Sequence, residues 1–339
     1  MRLWFTVGML LAVAVIGGGS IWWMFLASYG ERQWQANQQR LQEQGYTLEY
    51  GRLERGGFPL AVEWIIHDVT LSHPGEAEGQ RSFSGQADRV RFVSALWSPQ
   101  EVAFQVEGQH RWQVDTGGGP GIVDIAVDSA SGTIGPRPET DGWRVETRLG
   151  GITARPRGEA AGDLTVRTAT VVAETPLGMD ALRIDARLEQ IGLPQDFGLG
   201  REAALLQLSG SIRPLPADYS RDALSSWQAA EGQMTISDAQ VRLGPLRGGA
   251  DGELGLDRDL RPRGEMAVRV QEPTELLALA QKRGWIDQER MPLYAMATSM
   301  FTRNNTDGEK EAAVKVGFRD GGVWLGPVRL ADLPPVVGE

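Results

Sequence analysis

The 339-residue chain contains no cysteine. That absence removes disulfides, thiolate zinc sites, a cysteine nucleophile and a lipid-modified cysteine together, and it fits either redox compartment. Histidine is nearly as scarce. His67, His73 and His110 lack metal-ligand spacing and lie on or beside strand-like runs with polar neighbours. They read as surface residues, and no metal site is expected. Lysine occurs only at Lys282, Lys310 and Lys315, and with arginine included the formal net charge is still -10, a balance that argues against nucleic acid as a partner. The chain also lacks a Gly-x-Ser-x-Gly elbow, a Ser-x-x-Lys pair and a Walker loop. The glycine-rich "TGGGPG" at 116–121 has neither the lysine nor the following helix that a phosphate cradle needs, so it reads as a hairpin loop. Carboxylates such as Asp68, Glu101, Asp124 and Glu174 are plentiful, but their spacing nominates no acid and base pair. No cofactor and no catalytic residue is expected.

What is present begins with Leu3 to Gly30, which carries no charged residue and exceeds the roughly 20 apolar residues needed to cross a bilayer. Trp4 near one end and Trp22, Trp23 and Tyr29 near the other suit the interfacial belts. A cleaved signal peptide would have a shorter apolar core and a small-x-small site, so an uncleaved anchor over 1–30 is the expectation. Arg2 favours a cytoplasmic N-terminus, with the bulk of the chain on the other side. The helix formers of "ERQWQANQQRLQEQGY" predict a juxtamembrane helix over 31–45 that stops at Gly45.

From residue 46 to 339 the dominant period is two. Apolar residues alternate through Val62, Trp64 and Ile66, then Val90 and Phe92, Val102, Phe104 and Val106, and Trp112 and Val114. The pattern continues through Leu206 and Leu208, Met234 and Ile236, Met266, Val268 and Val270, and Val314, Val316 and Phe318. Turn-forming stretches rich in Gly, Pro and Asp separate these runs, and helices are not inserted between successive ones, so an antiparallel meander is predicted. Helices are expected over "SRDALSSWQAAEG" and over a hairpin formed by "EPTELLALAQKRG" and "DQERMPLYAMATSMFTRN", whose Met291, Met296 and Met300 read as packing residues. A soft internal boundary falls near 213–220, "RPLPADYS". Two stretches echo each other, "AQVRLGPLRGGADGEL" at 239–254 and "GGVWLGPVRLADLPP" at 321–335. Between two alternating runs, "GRLERGGFPL" reads as a structured corner: Gly56 and Gly57 permit positive φ, Pro59 ends ladder donation, and Phe58 plugs the bend.

The "GGFP" corner, the strands "LGPLRGGADGELGLD" and "LGPVRLADLPP" and the N-terminal anchor together resemble the bacterial family known as domain of unknown function 2125. That resemblance implies an envelope protein of the inner membrane, single-pass, with its bulk in the periplasm, and it carries over no catalytic residues. By organisation alone, one anchor followed by many strands also looks like the AsmA-like envelope proteins, whose sheet curls into a groove that carries lipid. The expected fold is mainly β, an extended curved antiparallel sheet or open barrel behind a transmembrane helix, with a few covering helices. The expected function is non-enzymatic, the binding or passing of lipid or another amphiphile in an apolar groove lined by Trp64, Phe92, Phe104 and Trp112. The alternative is a structural or assembly scaffold that binds other envelope proteins through a sheet edge or the proline-rich tail.

Overall fold

The computed structural model describes residues 38–336 apart from 40, 44, 75–81, 116–121, 138–141, 158–161, 176–179, 197, 217–219, 283–295, 297–301 and 305–309. The anchor expected over 1–30 lies outside the described residues, and of the helix expected over 31–45 only 38–39 and 41–43 are described, all helical. Among the described residues no helix is long and apolar enough to cross a membrane.

The described residues are mainly strand, and every ladder is antiparallel. The chain divides into two compact units, residues 1–138 with 143–160 and residues 139–142 with 161–339. The soft boundary read at 213–220 falls instead inside unit 2, where the chain leaves one strand and enters a helix.

Unit 1 holds β1 (Thr47–Glu49), β2 (Leu53–Gly56), β3 (Ala61–His73), β4 (Phe83–Ala95), β5 (Ser98–Asp115), β6 (Ile122–Arg137) and most of β7 (Gly142–Pro156). β1 and β2 both pair with β3, and β3 to β6 follow one another as successive neighbours. These strands are long, and their alternation does not run unbroken. In the β4 and β5 ladder Phe92 pairs with Phe104 and Val90 with Val106, but Ala87 pairs with His110 and Gly85 with Trp112. The surplus residue of β5 is absorbed at Gly108, where φ is +87°. β5 therefore keeps its inward residues at even positions from Val102 to Val114, while β4 changes from Val90 and Phe92 to Phe83 and Ala87. β6 shifts likewise, from Ala130 and Ile134 to Val123 and Val127. β3 changes at Asp68, which has φ +54°. Carboxylates close this seam, since a Cβ on Gly108 would overlap Asp88 and one on Gly151, at φ +61°, would overlap Asp128.

Unit 2 holds β8 (Leu164–Thr175), β9 (Leu182–Gly192), β10 (Glu202–Arg213), helix α1 (Arg221–Ala229), β11 (Gln233–Leu243), β12 (Leu246–Leu256) and β13 (Pro262–Gln271). Helix α2 (Pro273–Lys282), β14 (Thr302–Asn304), β15 (Lys310–Arg319), β16 (Gly322–Leu325) and β17 (Val328–Asp332) complete it. Successive strands pair from β8 to β13, then β13 pairs with β15, which also takes β14 and continues to β16 and β17. The helical reading of 287–304 ends early, because Thr302 to Asn304 form a strand on β15; the rest of that stretch lies outside the described residues except Met296, which is helical and 59% exposed.

Local chemistry explains the connections. Ser220 caps α1 by accepting from the Ala223 N–H at 3.2 Å, and Trp227 on its buried side donates its indole N–H to the Pro214 carbonyl at 2.6 Å. The two echoed stretches are the same hairpin twice: Leu243 pairs with Leu246 around Gly244-Pro245, and Leu325 with Val328 around Gly326-Pro327. Gly244 and Gly326 have φ +54° and +57°, values suited to glycine in a two-residue turn. At the "GGFP" corner Gly57 has φ +88° and its carbonyl accepts from Ala61 at 2.9 Å, while Gly56 remains in β2 opposite Glu63. Phe58 is 53% exposed at this bend.

Candidate functional site

The register of unit 2 sorts its side chains into two faces. One cross-strand row runs Ala186, Leu208, Ala239, Ala250, Val268 and Val314 from β9 to β15. The next runs Ile184, Gly210, Ile236, Gly252, Met266, Val316 and Leu325, reaching β16. Val171 and Ala173 of β8 extend both rows. No polar side chain interrupts them. The opposite face is polar and tied across strands. Arg187 bonds Glu189 at 2.8 Å and Gln207 at 3.2 Å, and Gln207 and Gln240 both donate to Asp238, at 3.2 and 3.0 Å. Arg269 pairs with Asp251, Lys315 with Glu265 at 2.7 Å, and Gln233 with Glu253 at 2.7 Å.

The apolar face is not closed like a core. Leu206 and Leu208 on β10 are 44% and 43% exposed, and most of their row partners are half-buried. The fully buried side chains of unit 2 lie elsewhere, with Val166, Ile191 and Ala203 at one strand end and Leu224 and Trp227 on α1. A half-exposed apolar sheet face of this extent among the described residues is the unusual feature, since scattered exposed leucines alone would need no explanation.

In unit 1 the register brings together three of the four aromatics read as site residues: Trp64, Phe92 and Phe104 form one row on β3, β4 and β5, with Gly132 next on β6. The Phe104 ring lies where a side chain on Gly132 would stand. Trp112 belongs to the other side of the seam, packed over Gly85 with its ring centroid 5.4 Å from Phe83. All four are half-buried, and the indole N–H of Trp64 is buried without a partner among the described residues.

The histidines depart from the surface reading. His110 is 2% exposed, between Ala87 and Val127, and neither ring nitrogen has a partner among the described residues. Its even position on β5, in phase with Val102, Phe104, Val106, Trp112 and Val114, was the sign of burial. His73 packs on Tyr46 at 4.8 Å between ring centroids, and His67 lies 3.5 Å from Glu54. Among the described residues no group of three His, Asp or Glu could hold a metal ion. The outer face of unit 1 carries ion pairs, and the Arg157 guanidinium, bonded to both oxygens of Asp124 at 2.7 and 2.8 Å, holds that carboxyl below its ordinary range. The Glu63 carboxylate raises Arg91 in the same way.

The fold and its faces define an antiparallel β protein whose second unit carries, among the described residues, a broad half-exposed apolar sheet face. The chain belongs to the family of uncharacterized proteins conserved in bacteria (DUF2125), whose model matches residues 23–334. No solved structure matches it.

Proposed function

We propose that this chain is a membrane-anchored envelope protein that binds or passes lipid, its sheet curving into a groove that takes acyl chains. The observation that carries the reading is the apolar face of unit 2, continuous from β8 to β16 and centred on half-exposed Leu206 and Leu208. Covering such a face with acyl methylenes removes apolar area from water at about 25 cal/mol per Å². An occupant without polar groups along its length suits rows that offer no side-chain hydrogen bonds. Leu3 to Gly30 would hold this face beside a source of lipid. Within unit 1 the row Trp64, Phe92 and Phe104, with Trp112 beyond the seam, would by itself offer an aromatic surface to the same kind of ligand.

The test is photocrosslinking in cells that express the full chain and are fed a fatty acid bearing a diazirine. Crosslinked lipid should map to peptides of β9 to β15 and fall several-fold in Leu208→Asp. Crosslinks confined to residues 3–30 would overturn the reading, because an anchor contacts lipid whatever the sheet does.

A further inference from the structure

We propose that unit 1 carries a separate binding site for a neutral polyhydroxyl group, the chemistry of a sugar, at the end of the sheet formed by β1 and β3 to β6. A cavity of about 400 Å³ opens there, within the roughly 300–1,000 Å³ range of small-molecule sites. Its base is a row set by register: Thr47 pairs with Ser72, Ser72 with Ser84, and Ser84 with Gln113. Neighbouring strands are ~4.8 Å apart, so the row presents hydroxyl, hydroxyl, hydroxyl and amide at a spacing comparable with alternate hydroxyls around a pyranose ring. Ser82 and Asp115 add polar groups at the rim, and Phe83 and Ile122 supply apolar walls for the C–H faces of such a ring.

Charge decides between ligand classes. Among the described lining residues there is no Arg or Lys, and the one basic group, the His73 imidazole, is packed on Tyr46, whereas Asp115 contributes a carboxylate, so a phosphate or carboxylate ligand would meet no permanent countercharge. Arg157, beyond the far end of the row, is engaged by both oxygens of Asp124. A purely apolar ligand would strip water from three hydroxyls without replacing those bonds, while the Gln113 side chain also bonds the Asp124 carboxylate. A polyol replaces them, since each of its hydroxyls both donates and accepts. The group could be a free sugar or the head of a glycolipid, and the inference does not depend on the acyl reading of unit 2.

The experiment is saturation-transfer difference NMR on the full chain in lauryldimethylamine oxide, a detergent without a sugar head, using methyl β-glucoside, octyl β-glucoside below micelle formation, and inorganic phosphate. Both glycosides should receive saturation on ring protons and phosphate should not displace them. Equal affinities indicate a free sugar, and octyl glucoside at least tenfold tighter indicates a glycolipid head. Ser84→Leu should weaken methyl glucoside binding at least tenfold, the near-isosteric Thr47→Val should weaken it several-fold without disturbing the sheet, and Leu208→Asp should leave it unchanged. No transfer to either glycoside, displacement by phosphate, or full binding by a folded Thr47→Val would overturn the proposal.

Discussion

Replacing Leu208 and Leu205 separately by Asp distinguishes an open apolar face from a packed core within one strand. Leu208 is 43% exposed on the apolar rows, whereas Leu205 is 5% exposed. Fully burying a leucine contributes about 1.5–3 kcal/mol, and a little over half of Leu208 is covered, so its loss costs about 1–2 kcal/mol. The new carboxylate can remain in water at that position, which adds little. At Leu205 the same change leaves an unpaired charge where water does not reach, at about 4 kcal/mol or more. With about 2–4 °C per kcal/mol for a unit of this size, Leu208→Asp should lower the melting temperature by roughly 2–8 °C, and Leu205→Asp should prevent cooperative melting or abolish folded protein. Circular dichroism of the full chain in detergent reads both. If Leu208→Asp proved as damaging as Leu205→Asp, the face would be packed in solution and the argument from its exposure would fail.

Three further outcomes follow from local features. Gly108→Ala should destabilise unit 1 by more than the ~1–2 kcal/mol of a left-handed non-glycine residue, because the Cβ also meets Asp88, whereas Gly200→Ala, at φ +101° with nothing within 4 Å, should cost only the backbone term; equal melting shifts would contradict the seam. His110→Leu should stabilise the protein by about 1 kcal/mol or more, because it removes two buried unpartnered nitrogens from an apolar setting, and a lower melting temperature would mean that the imidazole has a partner. Asp124 is held below its ordinary range by Arg157, so its pairing stabilises the fold above the ordinary carboxyl range and is lost as pH falls through the depressed value; in Arg157→Gln, carboxyl NMR titration should show Asp124 moved back up, and an unmoved titration would remove Arg157 as the cause.

Period-two alternation is a local signal and made the strands of both units legible, as helical spacing did for α1 and α2. What it could not supply was phase. The change of inward parity at Asp68, Asp88 and Asp128 depends on which residue of a neighbouring strand faces which, and that is fixed only when the ladder forms. Hence Trp64, Phe92 and Phe104 emerge as one row and Trp112 as part of another, although the chain presents all four alike. The apolar face of unit 2 was visible strand by strand, but its continuity is a property of register. The unit 1 cavity gave no sequence signal, because Thr47, Ser72, Ser84 and Gln113 are ordinary outward residues until pairing lines them up.

Most of the described ladders join consecutive strands, and the described partners farthest apart along the chain in unit 2, Gly264 and Phe318, lie on β13 and β15. Large sheets often fold slowly because distant segments must meet before any contact is gained. Apart from β15, which pairs with β13, and β1, which pairs with β3, each described ladder closes a strand on the one just before it, so the loop entropy for most additions is small and does not grow as the sheet widens. Such a chain can be assembled in the order in which it is synthesised, each completed strand offering its free edge as the template for the next. The exposed edge that would invite aggregation in a finished sheet is then, during growth, the surface on which the molecule is built.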